Sequence, residues 1–220
     1  MLTTSIFMVD NLCFYLYNIC DQIKQIIANC KLKTAQRMIY MKLSTKTLTQ
    51  CAVFSAIISI LSVITIPIGI IPVTLGLFGI MLAAIILGCR RSVLSVLIFI
   101  LIGAVGIPVF SGFKGGPQVL TGPTGGYITS YIFVSMFIGF ISDKVKSNGI
   151  LSAVILFLAC CFGTVICYTL GTLQFMAISG NDIKTALAKC VTIFIPFDIL
   201  KSVMAAFIGT AVKKRLRFFN

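Results

Sequence analysis

The sequence predicts an all-α membrane protein, a bundle of six transmembrane helices with both termini on the cytoplasmic side. Three observations predict it. Of 220 residues, 59% are hydrophobic and only 10% charged, against about 25% charged in soluble domains, and the mean hydropathy is +1.10. After residue 40 the apolar residues fall into six separate segments. The basic residues between those segments collect on alternate connections, which is the pattern of a chain threaded through a membrane.

Residues 1–40 differ from the rest. They mix apolar residues with Asp10, Asp21, Lys24, Lys31, Lys33 and Arg37, and no uninterrupted stretch is long enough to span a bilayer. Residues 6–27 fit one amphipathic interfacial helix. Met41 then opens a stretch that reads as an ordinary start of a membrane protein, so 1–40 is expected to be an upstream extension from a misplaced start or a peripheral helix. Residues 41–220 form the six-helix domain.

The first span runs over about 48–66 and ends at Pro67, which cannot continue a helix. The Pro/Gly segment from Ile66 to Thr74 follows. The second span, about 75–87, is short and fits only if the preceding loop dips into the protein, as backbone lining a cavity can. The third is predicted at 93–110, followed by a Gly-rich loop at 111–126. The fourth covers 127–141, the fifth 150–173 and the sixth 187–212. Lys42 and Lys46 precede the first span, and Arg90 and Arg91 join the second and third. Lys144 and Lys146 join the fourth and fifth, and Lys213, Lys214, Arg215 and Arg217 follow the sixth. All fall on one side, which the positive-inside rule makes cytoplasmic. The opposite side carries Lys114, Lys184 and Lys189. The net charge of +13 is therefore read as flanking residues that meet anionic lipid headgroups, not nucleic acid.

Several chemistries are excluded. The chain has no His, and its five acidic residues are all Asp, so a zinc-hydrolase H-E-x-x-H helix and a Ser–His or Cys–His nucleophile pair are absent. No G-x-x-x-x-G-K-[ST] loop occurs, so the chain does not bind ATP in the P-loop manner. Nine cysteines without a C-x-x-C pair read as small apolar packing residues.

Against that background Asp198 and Lys201 stand out. They lie inside the apolar run from Cys190 to Val212, where each ionised group costs roughly 2.5–3.5 kcal/mol on insertion scales. Their i, i+3 spacing puts both on one helix face, where they pair. The pair reads as a polar pocket floor or as an internal salt bridge that fixes helix register. Asp198 is expected about 12–15 Å below the outer end of its span at 1.5 Å per residue. Pro196 would free a carbonyl one turn upstream. A second signal is the run from Lys114 to Tyr127, with Gly115, Gly116, Gly122, Pro123, Thr124, Gly125 and Gly126. Glycines just before a helix leave N–H groups at the positive end of its dipole, a place that suits a carboxylate or carbonyl oxygen. The other reading is a tight loop whose glycines only permit helix packing. On the first span, Ala52 and Ala56 form a small-xxx-small pair, a face for close helix approach, either internal or toward a partner.

Four features together resemble the BioY family, the biotin-specific substrate-binding (S) components of energy-coupling factor (ECF) transporters. In order they are Ile66-Pro67-Ile68-Gly69 with Pro72-Val73-Thr74, Gly106-Ile107-Pro108-Val109-Phe110, Gly122-Pro123-Thr124-Gly125-Gly126-Tyr127, and Phe194-Ile195-Pro196 with Asp198 and Lys201. The resemblance runs from Met41 to the end. It implies an S-component bundle that binds biotin from outside and works with a transmembrane coupling subunit and two ATPase subunits. This chain would hold no cofactor; biotin would be its transported ligand and ATP would be used by the partners. It further implies that Ala52 and Ala56 dock the coupling subunit, and that Asp198, Lys201, Thr74 and the loop 114–127 surround the ligand. The sequence departs from the family pattern at Gly76, where many members carry Gln, at Ile128, where some have Arg, and at Phe197, where Gly is common. Lys114 is then the candidate cation for the valerate carboxylate, as a point charge in place of a guanidinium fork. These departures keep another biotin-like or small vitamin substrate as the alternative. A membrane enzyme using Asp198 and Lys201 as acid and base, or a subunit without a ligand, are the other classes.

Overall fold

The computed structural model describes residues 45–66, 73–145, 150–180 and 194–218, with side chains up to 215. The extension 1–40, the Pro/Gly residues 67–72 and the stretch 181–193 lie outside the described residues. Seven helices and one two-stranded sheet make up the described chain.

Helix α1 (Thr45–Val63) turns one narrow stripe inward, Thr47, Cys51, Ser55, Ile58 and Ser62. Most of these are small, so the next helix approaches closely. A Cβ added at Gly76 would press on Ser62, and one at Gly79 on Leu61 and Ile58. Ala52 and Ala56 lie on the exposed face beside Val53, Ile57 and Ile60, so they are not part of the internal packing among the described residues.

The first span ends at Val63, earlier than predicted, because the chain turns into a hairpin. Strands β1 (Thr65–Ile66) and β2 (Val73–Thr74) pair antiparallel, Thr65 opposite Thr74 and Ile66 opposite Val73. Their β-branched residues suit a pleated ribbon. Helix α2 (Gly76–Leu87) is only 12 residues long, about 18 Å at 1.5 Å per residue, short of the ~30 Å hydrocarbon core. It packs against α1 and against three helices further along the chain, and eight of its residues are buried. That position explains why it is apolar on all sides.

One residue, Gly88, joins α2 to α3 (Cys89–Ala104) at φ 77°. A side chain there would strike the Asp143 carboxylate, which accepts the Cys89 N–H at 3.0 Å. Ser142 donates to the Ile85 carbonyl at 2.7 Å, and Lys213 donates to the Ser142 carbonyl at 2.6 Å. A carboxylate at the start of one helix and an ammonium at the end of another both complement helix dipoles. Helix α3 stops at Ala104, not at Phe110 as the apolar run predicts, because Gly106 adopts φ 114° and Pro108 follows. The loop then doubles back, with Phe110 bridged to Lys114, and the five-residue helix α4 (Pro117–Thr121), absent from the sequence prediction, starts on a proline, where the missing N–H costs nothing.

Helices α5 (Gly125–Lys144), α6 (Ile150–Ser179) and α7 (Ile195–Phe218) complete the bundle. The core runs between them and α2 and α3, through fully buried Ile80, Met81, Ile85, Val96, Phe99, Val134, Ile138, Leu156 and Cys160. Four helices (α1, α5, α6 and α7) are long and apolar enough to cross a membrane. The chain is a multi-pass membrane protein.

Candidate ligand-binding cavity

A cavity opens at the end of the bundle where the hairpin, the 105–124 loop and the start of α7 meet. Its volume is about 120 Å³ for the centre of a water-sized sphere, against the ~10–15 Å³ that one water needs on that measure. That is room for a small organic molecule.

Its polar floor comes from α7. The described helix begins at Ile195, so Pro196 falls in its first turn and not within an unbroken span. Asp198 is therefore a first-turn residue, its N–H bonded to the Phe194 carbonyl at 2.9 Å, where a carboxylate is favoured by the helix dipole. The depth reckoned from residue 187 rests on residues outside those described. Asp198 and Lys201 are nonetheless 5% and 8% exposed, and their Oδ1–Nζ distance is 2.7 Å. A buried ion pair needs further hydrogen bonds to offset its lost hydration. The site supplies them: Lys201 Nζ donates to the Thr74 carbonyl at 2.8 Å, and the Tyr168 hydroxyl donates to Asp198 Oδ2 at 2.6 Å. A carboxylate has about four acceptor positions and an ammonium three donors. Each partner keeps capacity for a ligand.

The walls are apolar and aromatic. Leu77, Phe110, Val119, Ile128 and Phe194 line them with Tyr127, Tyr131, Tyr168 and Cys167. Lys114 is exposed and lies on the wall beside Ser111, whose buried Oγ has no hydrogen-bond partner among the described residues.

Of the residues singled out from sequence, the cavity wall brings together Asp198, Lys201, Lys114, Thr74, Thr124 and Tyr127. Gly115, Gly116, Gly122, Pro123, Gly125 and Gly126 are not on it. The glycines serve close packing. A Cβ at Gly115 would strike the Gly106 and Ile107 carbonyls, one at Gly125 the Leu120 carbonyl, and one at Gly126 Gln174 and the Leu170 carbonyl. Nor does Gly125 offer a bare N–H, since it donates to the Gly122 carbonyl at 3.0 Å. Gln174 on α6 holds the same loop, donating to the Leu120 and Gly122 carbonyls at 2.9 and 3.0 Å.

Sequence reasoning missed Tyr168, Tyr131, Ser111 and Ser62. A signal existed for the tyrosines. The chain has six, and the three that follow residue 40 all line this cavity.

Comparisons with known proteins point the same way. A model of the BioY family matches residues 33–218, starting eight residues before Met41. Similar proteins include the biotin transporter BioY of Thermotoga maritima, 38% identical over 171 residues, covering 76% of this chain and 95% of that protein. The biotin transporter BioY of Rhizobium etli is 36% identical over 177 residues, covering 77% and 94%. Among solved structures, the S-component for biotin from an ECF-type ABC transporter superposes with a TM-score of 0.71 at 31% identity, covering 77% of this chain and 91% of that one. With the match spanning both the bundle and every wall of the cavity, this chain belongs to the BioY family.

Proposed function

We propose that the protein binds biotin with high affinity and serves in its uptake across the cell membrane as the S component of an ECF transporter. The observation that carries this reading is the half-used Asp198–Lys201 pair at the base of an otherwise apolar cavity. A cyclic urea presents N–H donors on its ring edges and an acceptor at its carbonyl. An ionised carboxylate is acceptor-only and an ammonium donor-only, so the pair matches those two functions side by side. The apolar walls suit the fused ring and the aliphatic chain. Lys114 and Ser111 meet the carboxylate, and the glycine loop shapes the wall without touching the ligand.

In this reading residues 41–220 cross the cell membrane six times with both termini inside, and the cavity faces outward. Ala52 and Ala56, on the exposed face of α1, meet the transmembrane coupling subunit, and two ATPase subunits supply the energy. The protein itself is a transporter component and not an enzyme. The test is uptake of labelled biotin by cells that lack their own transporter and carry this chain with its coupling module; uptake no higher than in cells without the chain would sink the proposal. A second reading, a different biotin-like or small vitamin, is favoured by Ile128, an apolar residue on the cavity wall where some family members carry Arg. Competition by dethiobiotin, riboflavin and thiamine separates the two.

A further inference from the structure

Resting on the biotin reading, we infer that Tyr168 is a positioning residue that sets ligand specificity by fixing which edge of the Asp198 carboxylate faces the cavity. Its hydroxyl donates to Oδ2 at 2.6 Å while Lys201 holds Oδ1 at 2.7 Å. Hydrogen bonds to an ionised oxygen at this length are of the strong class. With one donor on each oxygen, from two different helices, the carboxylate cannot rotate about its Cβ–Cγ bond without breaking one of them. Lys201 is itself held by the Thr74 carbonyl at 2.8 Å, so the acceptor edge and the donor head keep fixed places side by side.

The tyrosine is held in turn. Its ring packs against the small cluster of Val73, Phe175 and Phe194, which joins the hairpin strand, α6 and the residue before α7. The hydroxyl end alone reaches Asp198. The site therefore reads a ligand by a fixed order of functions, donors to Asp198 and an acceptor to Lys201. A ligand with an extra donor in place of that acceptor meets the ammonium instead of an oxygen. Without the phenol hydroxyl, Lys201 alone holds the carboxylate, which can then pivot about that contact and offer Oδ2 to such a donor.

Tyr168→Phe isolates the effect, because the ring stays in its cluster and only the hydroxyl is lost. The experiment measures dissociation constants of the purified full-length chain for three probes at one fixed pH. Biotin carries the cyclic urea. Iminobiotin replaces the ring carbonyl oxygen by nitrogen; as a cyclic guanidine it is protonated at neutral pH, so it presents a charged N–H donor where biotin has an acceptor. Dethiobiotin lacks the sulfur and keeps the cyclic urea. In Tyr168→Phe, biotin is expected to bind about tenfold more weakly, the scale of one lost hydrogen bond to a charged group. The iminobiotin-to-biotin ratio of dissociation constants falls, and the dethiobiotin-to-biotin ratio is unchanged. An unchanged iminobiotin ratio, or both ratios moving together as the pocket deforms, overturns the assignment. Failure of the unaltered chain to bind biotin overturns the underlying reading instead.

Discussion

Replacing Lys201 by Met, alone and together with Asp198→Leu, separates the ligand role of the pair from its role in holding the bundle. In Lys201→Met the Asp198 carboxylate, 5% exposed, keeps the Tyr168 donor but loses its counter-ion. Breaking one partner of a buried pair costs about 3–5 kcal/mol, and the Thr74 carbonyl loses its donor as well. For a chain of this size that lowers the unfolding temperature on the order of 10 °C. The double variant removes both charges; Met matches Lys in volume and the larger Leu borders the open cavity, so the change is expected to be near neutral for stability. It should recover most of the lost unfolding temperature. It should not recover binding. A ligand that places one or two N–H groups on Asp198 and an oxygen on Lys201 loses hydrogen bonds to charged groups worth about 1.5–3 kcal/mol each. Affinity therefore falls roughly 10²- to 10⁴-fold. The assays are thermal unfolding of the detergent-purified protein and biotin titration of the same samples. A double variant that binds biotin within tenfold of the unaltered chain would reduce the pair to a structural salt bridge.

Three further outcomes follow from named contacts. Lys114→Ala should weaken biotin about tenfold at low salt and less at high salt, as expected for an exposed charge, while leaving the uncharged amide of biotin unaffected; titration of both ligands checks it. Ala52→Leu with Ala56→Leu adds bulk to an exposed face, so biotin affinity should stay unchanged while uptake with the coupling module drops at least about tenfold, the scale of about 1.4 kcal/mol lost at a docking face. Gln174→Ala removes the donor shared by the Leu120 and Gly122 carbonyls. It should destabilise the protein by about 1 kcal/mol, the scale of lost hydrogen bonds to half-buried carbonyls, and speed hydrogen exchange in the 117–126 loop, read by mass spectrometry.

The bundle was legible in the sequence where a physical break marks an element end. The second predicted span ends at Leu87 as α2 does, because Gly88 and the arginines after it set the boundary. The second begins one residue before α2, where the Pro/Gly segment ends. Boundaries made by tertiary contact were not legible. The α3 end depends on Gly106 at positive φ, the two-residue strands are too short for any periodicity to register, and α4 is a single turn held by Gln174. The same division holds for the cavity. Asp198 and Lys201 were visible because lipid penalises charge. Tyr168 was not, because an aromatic in an apolar helix looks like packing until its hydroxyl is seen on Asp198. The glycine loop borders the cavity, and of the two readings that the sequence left open, close packing is the one its contacts fit. Its glycines let chain segments touch, and the side chains beside them line the wall.

The most direct test of the account is a calorimetric titration of the purified chain with biotin. Saturable one-to-one binding at submicromolar concentration, lost in the Asp198→Leu, Lys201→Met double variant, is the predicted result. No heat of binding at micromolar biotin from correctly folded protein would contradict it.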